Sequence, residues 1–166
     1  MDGMDDCAEY LENYTIDELK VGDSRLVRRV ASERDILAFA VAAGDVNPIH
    51  LDPQYAASTP FKGPVMHGMW TASLIAAAMG VVFPGMGSIH VSQELRFLRP
   101  VRPGDALTCA VTVASLDKEK NRGVFDCSVT NQNGKVVLEG QAELLLPLQK
   151  IRRPKPRLPK IDIQRQ

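Results

Sequence analysis

The chain has 166 residues, of which 45% are hydrophobic and 24% are charged, which is the size and composition of one globular domain. Its 20 basic and 20 acidic residues give a formal net charge of zero, so we expect neither nucleic acid nor a membrane surface as a partner. The cysteines Cys7, Cys109 and Cys127 form no CxxC pair, which argues against a disulfide framework and a thiolate zinc site. The cysteines fit a reducing cytoplasm, and the acidic N-terminus lacks the order of a signal peptide, so we expect a cytoplasmic protein that is not secreted.

The first quarter of the chain predicts an acidic lead, a strand and a helix. Residues 1–22 form the lead, and the β-branched run at residues 26–30 predicts the first strand. Ser32 is followed three residues later by Asp35, a spacing that resembles a capping box. Apolar residues then recur at helical spacing up to Gly44, so we expect a helix that ends there.

The next segment predicts a loop and a short helix. Asp52 is a favoured N-cap residue and Pro53 is favoured at the first helical position, so a short helix is expected over residues 54–58. The residues between the two helices, 44–50, have the sequence GDVNPIH and are predicted to be a loop.

A long stretch from Pro64 to Gln93 contains no Asp, Glu, Lys or Arg. It predicts a helix from about His67 to Val82 that is apolar or small on nearly every face. A membrane span is the alternative, but Phe83-Pro84-Gly85 interrupts the stretch near its middle. We therefore expect a helix that is buried inside the domain.

The second half of the chain predicts an antiparallel sheet, because apolar and polar residues alternate between turns rich in Gly, Pro and Asn. The runs are residues 89–97, 107–113, 125–129 and 136–146. Helices followed by such strands give an α+β layout, and the uncharged helix needs the apolar face of the sheet wrapped around it. This arrangement is the hot-dog fold, an antiparallel sheet around a long central helix.

The folded domain is expected to occupy residues 23–147. The last segment, residues 148–166, is rich in Pro, Lys and Arg, so we predict an extended tail or interdomain linker rather than a part of the core. Such a tail can bind RNA or a membrane, but without interleaved aromatic residues a solvated linker is favoured.

An Asp and a His stand five positions apart in the predicted loop. Asp45 and His50 can hold one water molecule between a carboxylate and an imidazole, and an imidazole exchanges protons near neutral pH. Adding water across an activated double bond needs a base for the water and an acid for the neighbouring carbon, and this pair can supply both. Pro48 stiffens the chain between them, and Asn47 can bond to the backbone of its own turn.

The same pair does not complete a metal site. A calcium loop that starts at Asp45 would need Gly where His50 stands and Glu where Ala56 stands. Zinc requires a third ligand, which His67 or His90 supplies only by assumption. We expect no metal.

A second candidate group is the pair His67-Gly68 at the start of the uncharged helix. The first N–H groups of a helix have no partner within it, so those around Gly68 can hold a developing oxyanion. Such a donor is typically worth about 3 kcal/mol to a transition state, and glycine has no Cβ to keep a substrate carbonyl away. Without other signals, however, an HG pair is more often a plain helix start.

Taken together, these motifs resemble the MaoC-like, (R)-specific enoyl-CoA hydratases of the hydratase 2 type. The resemblance rests on residues 44–52 (GDVNPIHLD), 67–69 (HGM) and 97–101 (FLRPV) with Gly104-Asp105, in this order, and covers about residues 17–147. It implies a hot-dog fold and reversible addition of water to a trans-2-enoyl-CoA, giving an (R)-3-hydroxyacyl-CoA. It also implies a homodimer or higher oligomer and no cofactor, since coenzyme A is part of the substrate.

The resemblance also assigns roles to residues. It implies that Asp45 and His50 bind and activate the water, and that Gly68 supplies the oxyanion N–H. Asn47 and His67 are expected to support the loop and the substrate. Which of Asp45 and His50 removes the proton stays open, with a slight preference for Asp45 as the base.

A narrower likeness concerns Tyr10-Leu11-Glu12-Asn13, residues 67–70 (HGMW), residues 124–127 (VFDC) and Arg153-Pro154. These resemble the N-terminal hydratase half of bifunctional enoyl-CoA hydratase/phosphate acetyl- or butyryltransferases. The tail would then lead to a fused or associated phosphate acyltransferase domain.

Two other functions remain compatible with the same fold. One is a non-catalytic acyl-CoA-binding module, which would bind acyl-CoA without turnover. The other is an acyl-CoA thioesterase, which would release free coenzyme A.

Overall fold

The computed structural model describes residues 9–160 and residue 162, so Cys7 and the first part of the expected acidic lead lie outside the described residues. The elements are β1 (Tyr10–Glu12), a 3-10 turn (Ile16–Glu18), β2 (Ser24–Val30), α1 (Glu33–Ala43), α2 (Pro48–Leu51), α3 (Pro53–Ser58), α4 (Gly68–Ala77), a π-helical segment (Ala78–Val82), β3 (Ile89–Phe97), β4 (Ala106–Asp117), β5 (Arg122–Thr130), β6 (Val136–Leu145) and β7 (Arg152–Pro154).

The first helix, α1, has the two caps that the sequence predicts. Ser32 accepts a hydrogen bond from the backbone N–H of Asp35, and the Asp35 carboxylate accepts one from the N–H of Ser32. At the other end Gly44 adopts the left-handed conformation, with φ of 70°, and its N–H donates to the Ala40 carbonyl. Because glycine has no Cβ that would clash in this conformation, the helix can end at Gly44 and the chain can turn away from the helix axis.

The segment predicted as a loop between helices is only partly a loop, and here the expectation was wrong. Asn47 caps a single helical turn, α2, by accepting a hydrogen bond from the N–H of Ile49, and Pro48 fills the first position. His50 therefore lies on a helical turn, whereas Asp45 lies in the loop before it. Asn at the cap and Pro at the first position favour such a turn, but four residues are too few to show a helical period.

The main sheet has five antiparallel strands in the order β2-β4-β5-β6-β3, and α4 packs on one of its faces. Buried side chains of the helix, such as Trp70 and Ile75, belong to one core with buried side chains of the strands, such as Val111, Phe125 and Leu138. The predicted α+β hot-dog fold is confirmed. Strand β3 pairs with β6 instead of its neighbour in sequence, β4, so the strands are not a simple meander.

The central helix follows the predicted span but changes geometry. It is α-helical over Gly68–Ala77 and π-helical over Ala78–Val82. One stripe of it, Met69, Ser73, Ala76 and Gly80, is exposed in the single chain, so the helix is not buried on every face. Among the described residues, no helix has both the length and the apolar character needed to cross a membrane.

A segment near the start of the described chain pairs with a segment of the tail, which was expected to be extended and free of the core. Strands β1 and β7 pair antiparallel, with Leu11 opposite Arg153, and we call this pair the terminal strap. Asn13, which is fully buried, follows β1 and bonds to the backbone on both sides of Lys150. Its amide nitrogen donates to the Gln149 carbonyl at 2.9 Å, and its amide oxygen accepts from the Ile151 N–H at 2.7 Å.

Candidate active site

Asp45 is exposed and follows directly after Gly44, the residue that ends α1. One of its carboxylate oxygens, Oδ1, accepts a hydrogen bond from the backbone N–H of Asn47 at 3.1 Å. This bond holds the carboxylate in the turn before α2 and leaves the other oxygen, Oδ2, to face a ligand. The position therefore suits a group that must bind or deprotonate water.

His50 is half-buried on α2, and its Nδ1 atom lies 2.8 Å from the carbonyl oxygen of Val65. A carbonyl oxygen can only accept a hydrogen bond, so Nδ1 must carry the proton. In the neutral ring the other nitrogen, Nε2, then has a free lone pair. The main chain thus selects the tautomer of His50 and leaves Nε2 for chemistry.

His67 lies directly before α4 and connects to both of these residues. It is 2% exposed, and its Nε2 atom lies 3.1 Å from the backbone carbonyl oxygen of Asp45. Its ring stacks on His50 with a centroid distance of 3.8 Å and an interplanar angle of 27°, and it also contacts Phe39. Its Nδ1 atom is buried without a hydrogen-bond partner among the described residues.

One ligating atom from each of Asp45, His50 and His67 can be chosen so that all three lie within 4.8 Å of one another. His67 is thus the third member of the group, whereas His90 lies on the edge strand β3. Histidine nitrogens bind a metal in the plane of the ring, and stacked rings direct these lone pairs side by side instead of toward one point. The arrangement suits a water molecule between Asp45 and His50 better than a shared metal ion.

Gly68 is the first residue of α4, with His67 as the preceding N-cap. The carbonyl of His67 accepts the N–H groups of Trp70 and Thr71, at 3.1 and 3.3 Å. The amides of Gly68 and Met69 come before these donors, so they have no acceptor within the helix. These two N–H groups and the positive end of the helix dipole favour an oxyanion.

Phe97 also lies at this site, although its sequence motif assigned it no role. If Gly68 had a Cβ, it would lie 3.2 Å from Cε1 and 3.4 Å from Cδ1 of the Phe97 ring. The Phe97 ring therefore borders the space that glycine leaves at this position. The only signal in the sequence was the position of Phe97 at the head of the FLRPV motif.

The two described cysteines belong to the core and not to the site. Cys109 and Cys127 are 1% and 3% exposed. Burial raises the pKa of both thiols to about 12, and the neighbouring Cys127 adds to the rise for Cys109. Thiols that stay protonated are poor nucleophiles, so neither residue is suited to covalent catalysis.

The fold and this group of residues place the chain in a known family. Residues 17–135 match the model of the MaoC like domain, so the chain belongs to the MaoC-like domain family.

Two curated relatives match most of this chain. This chain is 41% identical over 140 residues to an (R)-specific enoyl-CoA hydratase of Rhodospirillum rubrum. That alignment covers 84% of this chain and 96% of the hydratase. The chain is also 40% identical over 131 residues to a 3-hydroxybutyryl-CoA dehydratase of Methylorubrum extorquens. That alignment covers 79% of this chain and 83% of the dehydratase.

A solved structure shows the same fold. The unliganded R-hydratase PhaJ1 from Pseudomonas aeruginosa superposes with a TM-score of 0.89 at 41% identity, covering 93% of this chain and 99% of that one. This match extends well beyond residues 17–135, the part that defines the family.

Proposed function

We propose that this chain is a hydro-lyase that adds water to a trans-2-enoyl-CoA and gives an (R)-3-hydroxyacyl-CoA, in a reversible reaction. The relatives support this function, because one is named a hydratase and the other a dehydratase, which are the two directions of one reaction. Coenzyme A is part of the substrate in this proposal, and no cofactor is needed. We also propose a cytoplasmic location, because the buried cysteines Cys109 and Cys127 are free thiols, which suits a reducing compartment.

One observation carries the proposal: a carboxylate oxygen of Asp45 and a ring nitrogen of His50 lie within 4.8 Å of each other. In our proposal a water molecule binds between Oδ2 of Asp45 and Nε2 of His50, the ring nitrogen that does not bond to Val65. When its oxygen forms a bond to C3 of the substrate, the C2–C3 double bond opens and the electron pair moves to the thioester oxygen. A proton then adds to C2, so that the atoms of one water molecule end on C3 and C2.

The thioester oxygen carries negative charge at the intermediate stage. The amide of Gly68, at the start of α4, donates a hydrogen bond to that oxygen in our proposal, and the helix dipole adds a favourable field. Removing one such donor typically lowers kcat by about 10²- to 10³-fold.

Two assignments of the proton transfers fit the tautomer of His50. If Asp45 takes the proton from water, a cationic His50 delivers a proton from Nε2 to C2. If neutral His50 takes the proton at Nε2, the same atom delivers it to C2, while Asp45 orients the water. The Val65 carbonyl accepts the Nδ1 proton in both cases, so the bond at 2.8 Å is compatible with either.

The test is the loss of 2-butenoyl-CoA absorbance with the purified protein, followed by chiral analysis of the product. We expect Asp45→Asn and His50→Gln each to lower kcat at least about 100-fold. Asp45 is exposed, so Asp45→Asn should fold normally, which circular dichroism would verify. No turnover by the wild-type protein, or full turnover by both variants, would show that this mechanism is wrong.

The same experiment separates the two rival functions. A thioesterase would release free coenzyme A, which a thiol-reactive dye detects, while a hydratase releases none. A non-catalytic module would bind acyl-CoA in calorimetry with no change in absorbance. The dye assay and the absorbance assay should therefore be made on the same sample.

We also propose that the enzyme is a homodimer. Strand β3 is an edge strand, and none of its nine residues is buried in the single chain. We call the edge surface the exposed apolar side chains of β3, Ile89, Val91 and Phe97, together with the exposed residues of α4, Met69, Ser73 and Ala76. A second copy that pairs β3 with β3 about a two-fold axis would cover this surface and remove the free edge.

Light scattering on the purified protein tests the dimer. We expect a mass of two chains, and we expect Val91→Lys to give one chain, because a buried charge would be left without a partner. A monomeric wild-type protein would contradict this proposal.

From the narrower sequence likeness, we propose in addition that a phosphate acyltransferase domain works together with this one. Because β7 ties Arg152–Pro154 to β1, any linker to such a domain begins after Pro154. Phosphate-dependent release of coenzyme A from butyryl-CoA by the natural protein or its co-purified partners would support this, and its absence would refute it.

A further inference from the structure

Residues 97–102, with the sequence FLRPVR, run beside the loop that leads into α4, and we call them the backing segment. At one end, ring carbons of Phe97 come within 3.2 to 3.6 Å of the place that a Cβ on Gly68 would occupy. Further along, the N–H of Met66 donates to the carbonyl of Val101 at 2.8 Å. The backing segment thus contacts the start of α4 and is hydrogen-bonded to the residues just before it.

The far end of the backing segment holds the beginning of the same loop. The guanidinium of Arg102 donates to the carbonyl of Phe61 and lies 3.4 Å from the position of a Cβ on Gly63. The backbone N–H of Arg102 in turn donates to the carboxylate of Asp105 at 2.8 Å. The loop is therefore fixed at both of its ends by one continuous piece of chain.

The backing segment itself is anchored to the main sheet. Phe97 is the last residue of β3 and pairs with Leu138 on β6. The N–H groups of Leu98 and Arg99 both donate to the carbonyl of Val137, at 2.9 and 3.3 Å. Because a paired sheet is a rigid support, the backbone of Phe97 is held in place relative to the core.

Glycine at position 68 fits closely against this ring, whereas its own backbone conformation does not call for glycine. Gly68 has ordinary right-handed helical geometry as the first residue of α4 and is not among the glycines with positive φ. Any residue can adopt that conformation. A Cβ at 3.2 Å from a ring carbon, by contrast, forces the ring or the helix start to move by a few tenths of an ångström.

We infer that Phe97 is a positioning residue that sets the orientation of the Gly68 amide. This inference rests on the proposed function, in which that amide binds the thioester oxygen. The ring lies on the side of Gly68 where a Cβ would be, so in our proposal it limits how the helix start, and with it the Gly68 N–H, can turn. Since hydrogen bonds to a developing oxyanion are sensitive to small displacements, a shift of a few tenths of an ångström lowers kcat by about tenfold.

The experiment is a double-mutant cycle with Gly68→Ala, Phe97→Leu and the variant that carries both. We expect Gly68→Ala to lower kcat by about tenfold and Phe97→Leu by a few-fold, with little change in KM for either. Leucine is smaller than phenylalanine and makes room for the new Cβ. The double variant should therefore have a kcat close to that of Phe97→Leu alone.

Two results would overturn the inference. If the two losses in kcat multiply in the double variant, Phe97 does not act through Gly68. If Phe97→Leu raises KM and leaves kcat unchanged, the ring binds the substrate instead of positioning the amide. Thermal unfolding and light scattering of each variant show whether a loss follows only from instability or from dissociation of the dimer, which would also overturn it.

Leu98→Ala is the matched control, because Leu98 is the next residue and is 46% exposed, similar to Phe97 at 52%. Its side chain is not among the atoms nearest to Gly68, so kcat should stay within about twofold of wild type.

If the wild-type protein shows no hydratase turnover, the proposed function fails and the positioning role fails with it. If the wild type turns over and the cycle is multiplicative, only the positioning role fails.

Discussion

The imidazole rings of His50 and His67 stack with their centroids 3.8 Å apart, while Nε2 of His67 lies 3.1 Å from the Asp45 carbonyl oxygen. Since that carbonyl accepts, Nε2 of His67 carries its proton. One buried side chain thus holds the ring of His50 by contact and the backbone of Asp45 by a hydrogen bond. His67 is therefore the natural support of the pair that we propose to be catalytic.

This support can be tested by His67→Phe, which keeps an aromatic ring against His50 but removes the hydrogen bond to Asp45. We expect kcat for hydration to fall by about tenfold as the loop loosens. The free energy of unfolding should change by less than about 1 kcal/mol, because Asp45 is exposed and water can replace the lost donor. Unchanged kcat would mean that the loop is held without His67.

Asn47 is expected to stabilise α2 as its N-cap. Asn47→Ala removes the acceptor for the Ile49 N–H and should lower the free energy of unfolding by about 1 kcal/mol. Asn47→Asp is the matched control, since aspartate caps helices as well as asparagine does. Urea unfolding measures both, and equal losses in the two variants would show that the cap contributes nothing.

Asn13, which follows β1, should contribute more to stability than Glu12 of the terminal strap. Asn13→Ala leaves the Gln149 carbonyl and the Ile151 N–H without their side-chain partner, at an expected cost of about 1–3 kcal/mol. Glu12→Ala is the control, because the ion pair of Glu12 with Arg152 is exposed and should be worth less than about 1 kcal/mol. Similar effects on the urea midpoint would contradict the assignment.

The buried thiols predict a loss of stability at alkaline pH. Burial raises the pKa of Cys109 and of Cys127 to about 12 in the folded chain, from an ordinary value of 9.0. Between these values the unfolded chain releases thiol protons that the folded chain retains, so stability falls as pH rises. From pH 8 to pH 10, we expect a loss of about 1.4 kcal/mol per thiol.

The pH effect is measured by urea unfolding at both pH values. A variant with Cys109→Ala and Cys127→Ala has lower stability throughout, but it should lose about 3 kcal/mol less than the wild type on going from pH 8 to pH 10. An equal loss in both proteins would show that other groups cause the dependence.

Gly140 is predicted to be essential for the pairing of β3 with β6. A Cβ there would lie 1.9 Å from the carbonyl oxygen of Glu94, so Gly140→Ala must push the two strands apart. We expect a loss of about 3 kcal/mol or more in the free energy of unfolding. Gly80→Ala is the comparison, because a Cβ at Gly80 has no atom within 4 Å in the single chain, and it should not destabilise the fold.

Local signals in the sequence were enough for most of the fold. The caps at Ser32 and Asp52 and the alternation within β3 to β6 are properties of neighbouring residues, and the structure has the helices and strands that they predict. The one-turn helix α2 was missed because a single turn has no period. Strands β1 and β7 were missed because each has three residues and their partners lie at opposite ends of the chain.

The sequence by itself determined the hot-dog fold and pointed, through its motifs, to Asp45, His50 and Gly68 as the residues to examine. Only the tertiary structure decided how these residues are held: the proton on Nδ1 of His50, the stacked ring of His67, and the Phe97 ring against Gly68. The physical reason is the range of the interactions. Caps and strand alternation act over a few residues, whereas these contacts join segments that meet only after the sheet has closed on the central helix.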